Sequence, residues 1–314
     1  MKYIADIKEG DRVKEIYLCR SKQTLVSKNG RSYDSLVLQD KTGSVDGKIW
    51  DLSSGGIEDF DKLDYIEVTA DVTSFQGSLQ LNIRRVRRAE ENECDPSEYL
   101  PSTERDIEEM YLELTNFRKS IQNEYLKKLL SMYFLESEFL KKKFCFHSAA
   151  KSVHHGYVGG LLEHTLAVTK NCEYMSGMYP ILNRDLLLTA AMLHDIGKIA
   201  ELSEFPENDY TDDGQLLGHI VIGCEWISAT IKKIEGFPKT LALELKHCII
   251  AHHGQLEFGS PKKPALVEAL ALSFADNLDA KMETMKEALA GKQAGEWVGY
   301  HKFLETNIRG TVGE

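Results

Sequence analysis

Up to about residue 90, apolar side chains fall on every second position. Leu79, Leu81 and Ile83, for example, alternate with Gln80, Asn82 and Arg84, the period of a strand with one face buried. The stretch "DRVKEIYLCRSKQTLVSKNGRSYDSLVLQDKTGSVDGKIWD" reads as three such strands, with "KNGR" and "DKTG" as turns. "SSGGIEDFDKLD" follows as a short helix or loop, and "YIEVTADVTSFQGSLQLNIRRV" adds two strands around "FQGS". From "ENECDPSEYLPSTERD" onward the period changes. Two prolines among acidic and small polar residues make a linker, and Thr103 with Asp106 signals a helix start before "IEEMYLELTNF". The remainder repeats apolar residues at three and four positions, as buried helix faces do, with loops at "MYPILNRD", "FPENDYTDDGQ" and "GQLEFGSPKKP".

These elements predict a multidomain α+β chain. Residues 1–90 form a five-stranded Greek-key barrel of the OB type, residues 91–119 a linker and connecting helix, and residues 120–314 an all-α domain. A content of 42% hydrophobic and 28% charged residues over 314 positions is that of a globular protein. No apolar signal core opens the chain, and no run approaches the roughly 18 residues of a membrane span, so a soluble, cytoplasmic protein is expected. Cys19, Cys94, Cys145, Cys172, Cys224 and Cys248 contain no CxxC pair, which suits reduced thiols.

The net charge of −11 argues against a nucleic-acid partner until its distribution is considered. Residues 1–90 balance 15 basic against 15 acidic side chains, whereas the rest sets 23 against 34. The barrel is therefore neutral overall and locally basic, ending in "NIRRVRRAE".

Metal-ligand residue types recur on the apolar stripes of separate predicted helices. His164 shares a face with Leu161 and Val168; His194 or Asp195 follows Leu187 and Ala191 on one helix through "LLLTAAMLHDIGKIAEL"; His252 follows Leu245 and Cys248; Asp276 follows Leu272; "LLGHIVIG" adds His219. Any one of these histidines is most simply a core or surface residue, but several inward imidazoles and carboxylates together suit a metal site inside a helix bundle. The doublet of His194 and Asp195 weighs most, because a buried carboxylate without a partner is strongly destabilising.

The order of His164, His194–Asp195 and Asp276 resembles the H…HD…D signature of HD-domain metal-dependent phosphohydrolases. More closely, "HHGYVGGLLEHT", "LHDIGK", "GHI", "AHHGQLEFGSPKKP" and "ADNLDAK" behind an OB-like domain resemble the YhaM-type 3′-to-5′ exoribonucleases over nearly the whole chain. That resemblance implies an HD-type helical domain and two divalent transition-metal ions per chain, with Mn first and Fe, Co, Ni or Zn as alternatives. One ion is held by His164, His194, Asp195 and Asp276; the second shares Asp195 and takes His219 with His252 or His253. It also implies 3′-to-5′ hydrolysis of single-stranded RNA, with single-stranded DNA not separated from RNA by sequence.

Asp195 is then the catalytic bridge. Lys198, one turn on, either reaches a phosphate oxygen or is an ordinary helix-end lysine. His253 is a ligand, a substrate contact or a hydrogen-bond donor behind the ligands, and Asp279 and Glu163 can orient ligands. The candidate nucleic-acid contacts are Arg20, Lys22, Arg31, Tyr33, Arg84 and Arg85 on the barrel, with Trp50 as either core or stacking platform. His154, His155 and Lys262 are further candidates near the cleft. Competing functions are an HD phosphohydrolase acting on free nucleotides with the barrel used for assembly, and a metal-bound but inactive binding protein. Sequence does not count the subunits, although exposed helical faces are compatible with a homo-oligomer.

Overall fold

The computed structural model describes residues 2–151 and 155–312. Two compact units divide the chain, one holding the residues up to Ser102 together with Glu204–Glu207, the other Thr103–Ser203 and the residues from Asn208 onward.

The first unit is a closed barrel of β1 (Arg12–Val26), β2 (Ser32–Asp40), β3 (Gly43–Ile49), β4 (Tyr65–Phe75) and β5 (Ser78–Arg88), in the order β1-β2-β3-β5-β4. Strand β1 serves two neighbours. Arg12–Leu18 pairs with β4 and the second half with β2, around a bulge between Cys19 and Ser21. Bulges bend and twist a strand, which helps the sheet close on itself. Tyr17, Leu36, Leu38, Ile49, Ile66, Val68 and Leu81 fill the interior. At "FQGS" the φ angles of Gln76 (51°) and Gly77 (85°) are both left-handed, the two-residue hairpin geometry that matches strand twist. The segment between β3 and β4 contains turns and no helix. A second register shift, opposite Arg84, leaves Arg84 and Arg85 both outside the barrel, so the inside–outside alternation fails there.

The second unit contains α1 (Ile107–Ser120), α2 (Glu124–Phe134), α3 (Glu138–Phe146), α4 (Gly160–Met178), α5 (Arg184–Leu193), α6 (Lys198–Glu201), α7 (Asp212–Leu216), α8 (Gly218–Ile231), α9 (Lys239–Ala251) and α10 (Val267–Leu289). Asp106 caps α1 by accepting from the Glu109 N–H at 2.9 Å, and Asn123, Ser137 and Asn183 cap α2, α3 and α5 in the same way. Leu161, Leu162 and Leu166 of α4, the apolar run of α5, Leu245 and Ile249 of α9, and Ala269, Leu272 and Ala275 of α10 share one core.

Two features depart from the sequence expectation. The single helix expected across "LLLTAAMLHDIGKIAEL" breaks after Leu193, and a turn carries the chain to Lys198. The unit is also not all-α, because it ends in a hairpin of β6 (Trp297–His301) and β7 (Thr306–Arg309). Gly295 and Gly299 adopt positive φ there, and β7 buries Ile308 where it packs against α10. No helix among the described residues is long and apolar enough to cross a membrane.

Candidate metal centre

Five segments bring the candidate ligands together. His164 lies on α4, His194 and Asp195 in the turn that ends α5, His219 on the first turn of α8, His252 and His253 just past the end of α9, and Asp276 in the middle of α10. Residues adjacent on a continuous helix point about 100° apart, so the helix ends are what let His252 and His253, and likewise His194 and Asp195, serve one locality. The ligand atoms of His164, His194 and Asp276 lie within 4.8 Å of one another, as do those of His219, His252 and His253.

Asp195 stands between the two groups, and each of its oxygens faces one of them. Oδ2 is 3.4 Å from His164 Nε2 and 3.4 Å from His194 Nε2. Oδ1 is 3.4 Å from His219 Nε2 and 3.7 Å from His252 Nε2. Asp276 Oδ1 completes the first group at 3.2 Å from His164 Nε2. Lys198 Nζ donates to Asp195 Oδ2 at 2.8 Å.

The imidazoles are held by their far nitrogens. Nδ1 of His194 donates to the Ala191 carbonyl at 2.8 Å, His252 to Ile249 at 2.6 Å and His253 to Phe258 at 2.7 Å. His219 uses Nδ1 on the Glu201 carboxylate at 2.8 Å, and the same Glu201 oxygen accepts the His219 backbone N–H at 2.9 Å. His164 Nδ1 meets Asp279 Oδ2 at 2.6 Å. An Nδ1–H engaged in this way leaves Nε2 with its lone pair directed inward, the tautomer that binds a metal.

The electrostatics fit a cation. Burial, reinforced by neighbouring imidazoles, holds His252 well below its ordinary pKa and lowers His253, so both are neutral donors. Burial opposes ionisation of Asp195, but Lys198 and His194 outweigh it and keep the carboxyl well below the usual range. For His164 burial is likewise outweighed, by Asp195, Asp276 and Asp279, and the ring is held well above its ordinary value, so the carboxylates around Nε2 favour a positive charge there, which a metal ion would supply in place of the proton. Asp195 Oδ1, His219 Nε2 and His252 Nε2 are buried, have no hydrogen-bond partner among the described residues and face one another. Buried polar atoms without partners are costly. A divalent ion is the group that satisfies a carboxylate oxygen and two imidazole nitrogens at once, so this donor set can bind metal.

Three backbone contacts that only glycine permits hold these segments together. A Cβ on Gly160 would stand 2.0 Å from the His155 carbonyl oxygen, one on Gly197 2.1 Å from that of His219, and one on Gly214 2.1 Å from that of Glu201. His155 itself is 3% exposed with a left-handed φ of 63°, and its ring joins Asp279 Oδ2 and the Tyr157 hydroxyl, each at 2.9 Å. Tyr157 donates to Glu163 Oε2 at 3.0 Å, which also accepts from the Thr103 hydroxyl at 2.6 Å.

The other candidates are scattered. His154 lies outside the described residues. Lys262 is exposed in the loop before α10. On the barrel, Arg20 donates to the Pro206 carbonyl at 2.7 Å and Lys22 to the Phe60 carbonyl at 2.7 Å, while Arg84 pairs with Asp71. Arg31 and Arg85 are exposed. Tyr33 stacks on Trp50 with centroids 4.6 Å apart, Trp50 is 50% exposed, and its indole N–H donates to Asn82 at 3.1 Å. Glu201 and Tyr157 were not singled out in the sequence; the position of Glu201, one turn beyond Lys198, was the only local signal for it.

Residues 161–281 match the HD domain family. The chain is 34% identical over 297 residues to a 3′-5′ exoribonuclease YhaM from Geobacillus sp. (strain WCH70), covering 94% of this chain and 90% of that protein. Among solved structures it is similar to the second OB-fold domain of replication protein A from Methanococcus maripaludis, at 22% identity and a TM-score of 0.23, covering 28% of this chain and 93% of that one.

Proposed function

The chain belongs to the YhaM family of 3′-5′ exoribonucleases, and on that premise we propose that it removes nucleotides one at a time from the 3′ end of single-stranded RNA at the His/Asp cluster. The observation that carries the assignment to these residues is the division of Asp195, with Oδ2 turned to His164 and His194 and Oδ1 to His219 and His252. It supports two ion positions, one held by His164, His194, Asp195 and Asp276, the other by Asp195, His219, His252 and His253. Nitrogen and carboxylate donors in this number suit Mn, Fe, Co, Ni or Zn, and Mn is our choice. When bound, such ions supply Lewis acidity toward a phosphodiester and its attacking water.

The protein's own groups do the rest. Asp195 holds the two donor sets in register. Lys198, half-buried against Asp195 and lining the cleft above the cluster, presents its remaining N–H donors to a phosphate oxygen. Asp279 and Glu201 keep His164 and His219 aimed. On the barrel, the Tyr33–Trp50 pair offers a surface for base stacking, with Arg31 and Arg85 for phosphates. Single-stranded DNA belongs to the same proposal, since base stacking and phosphate contacts do not by themselves read the 2′-hydroxyl. The six unpaired cysteines support a reducing, cytoplasmic setting. Self-association draws support from Val267, Leu270, Phe274, Leu278 and Met282, an exposed apolar stripe along α10.

The test is end-labelled single-stranded RNA incubated with and without Mn²⁺, beside Asp195→Ala. Stepwise shortening from the 3′ end that requires both the metal and Asp195 is expected. Phosphate released from mononucleotides while RNA stays intact would replace this function with that of a nucleotide phosphohydrolase.

A further inference from the structure

On the two-ion centre proposed above, we infer that His155 is a positioning residue for the first ion: it fixes Asp279 behind His164, and Tyr157, Glu163 and Thr103 in turn fix His155. An ionised carboxylate can only accept. Asp279 Oδ2 accepts from two imidazoles, His164 Nδ1 at 2.6 Å and His155 Nε2 at 2.9 Å. His155 Nδ1 meets the Tyr157 hydroxyl at 2.9 Å, Tyr157 donates to Glu163 Oε2 at 3.0 Å, and the Thr103 hydroxyl donates to the same oxygen at 2.6 Å. These bonds run unbroken from the ring of a candidate metal ligand to Thr103, the first residue of the helical unit. His155 lines the cleft of about 900 Å³ above the cluster, as do Lys198 and the β6–β7 turn. With 3% exposure and both ring nitrogens engaged, it has no atom left to offer RNA.

The backbone of His155 points the same way. Its φ of 63° is left-handed, a conformation that a residue with a Cβ rarely adopts and that persists only where the surroundings over-determine it. The surroundings do so here. The His155 carbonyl accepts from the Ala149 N–H at 3.0 Å, and Gly160 backs onto that carbonyl with no room for a Cβ. At the other end of the turn the Thr103 N–H donates to the Val158 carbonyl at 2.9 Å, and a Cβ on Gly159 would meet Thr103 Cγ2 at 2.7 Å. The ring is thus aimed by close backbone contacts and used at both nitrogens. One ligand atom each of His155, His164 and Asp279 also lie within 4.8 Å of one another, but separations of 2.6 and 2.9 Å are those of hydrogen bonds. Fully satisfied buried networks are rigid, and partners behind a ligating histidine are worth about 10- to 100-fold in metal affinity. The second donor group is held otherwise, His219 by Glu201, and His252 and His253 by the carbonyls of Ile249 and Phe258. Loss of His155 should therefore weaken one ion and spare the other.

The experiment titrates the metal-free full chain with Mn²⁺ and follows the free ion by electron paramagnetic resonance. The wild type should take up two ions. In His155→Ala the affinity for one should fall about 10- to 100-fold, with the other unchanged. On RNA, saturating Mn²⁺ should recover the wild-type kcat and leave KM for RNA unaffected. Two substitutions separate aim from backbone shape. In His155→Gln the amide nitrogen takes the place of Nε2 and can donate to Asp279, so the affinity should return toward that of the wild type. His155→Asn suits a left-handed φ better but reaches only as far as Nδ1, so it should not. Tyr157→Phe, which deletes one hydroxyl, should weaken the same ion by a smaller factor, and melts of the metal-free proteins read folding separately. Rescue by Asn in place of Gln, or Mn²⁺ binding unchanged in both His155→Ala and Tyr157→Phe, overturns the positioning role and leaves the two-ion centre standing. A KM for RNA raised at saturating Mn²⁺, or the loss of a third ion, overturns it as well. A wild type that takes up no ion overturns both. Ion binding that depends on His155 in a protein that never shortens RNA supports the positioning role and removes the exoribonuclease function.

Discussion

Gly197→Ala isolates the contact that joins the two halves of the proposed centre. The residue has φ −68° and ψ −18°, a conformation alanine adopts freely, so backbone strain plays no part. Space decides the outcome. The new Cβ would lie 2.1 Å from the His219 carbonyl oxygen and 2.7 Å from the Gly223 N–H nitrogen, where ordinary contact begins at 3.4 Å. Both neighbours are main chain of α8, so the helix has to retreat by about 1 Å, and a misplacement of that size in a catalytic array costs on the order of 100-fold in rate.

His219 would move away from Asp195 Oδ1, now 3.4 Å away, while His164, His194 and Asp276 lie on other elements. The expected result is one of two metal equivalents lost, turnover on RNA down about 100-fold, and stability lowered by about 1–3 kcal/mol through overpacking. Gly223→Ala, across the same contact, is the control. Its Cβ would find nothing nearer than 3.4 Å, so it should keep full activity and gain about 0.5–1 kcal/mol from the helix interior. Metal content by mass spectrometry after gel filtration, labelled-RNA turnover and thermal melts read all three quantities. Wild-type metal content and rate in Gly197→Ala, or equal effects of the two substitutions, would refute the reasoning.

Glu201→Gln removes the charged acceptor behind His219 Nδ1 and should weaken metal affinity or activity about 10- to 100-fold, measured by Mn²⁺ titration; an unchanged titration counts against an orienting role for Glu201. Chelation should lower thermal stability, because an ion present at 100 times its Kd contributes about 2.7 kcal/mol to the folded state, and re-addition of Mn²⁺ should restore the melting temperature. A melt indifferent to the chelator would mean that the cluster holds no ion. Burial pushes the thiols of Cys19, Cys145 and Cys248 up to about 12, so they stay protonated at pH 8. Native protein should therefore react with Ellman's reagent only at the partly exposed Cys94 and Cys224, and the remaining cysteines should react after unfolding.

Within single elements, sequence was a sufficient guide. The alternation of Leu79, Leu81 and Ile83 placed a strand, Thr103 with Asp106 announced a helix start that Asp106 caps, and the metal-ligand residue types stood out on apolar stripes, because side-chain direction inside a strand or helix follows from its period alone. Local period says nothing about where elements end against one another. The break after Leu193, which turns His194 and Asp195 out of a continuous helix, coincides with the contact of Gly197 with α8, a feature of packing between segments more than 20 residues apart. The bulge opposite Arg84 and the partners of Arg20 and Lys22 are likewise set by neighbouring strands and loops. The presence of the β6–β7 turn in the cleft was invisible for the same reason, since Lys302 and Phe303 lie more than 130 positions beyond His164 and no periodicity links them. Sequence alone determined which chemistry the chain carries and on which kinds of element. Only tertiary packing decided which atoms of Asp195 face which imidazoles, because that depends on close approach between segments distant along the chain.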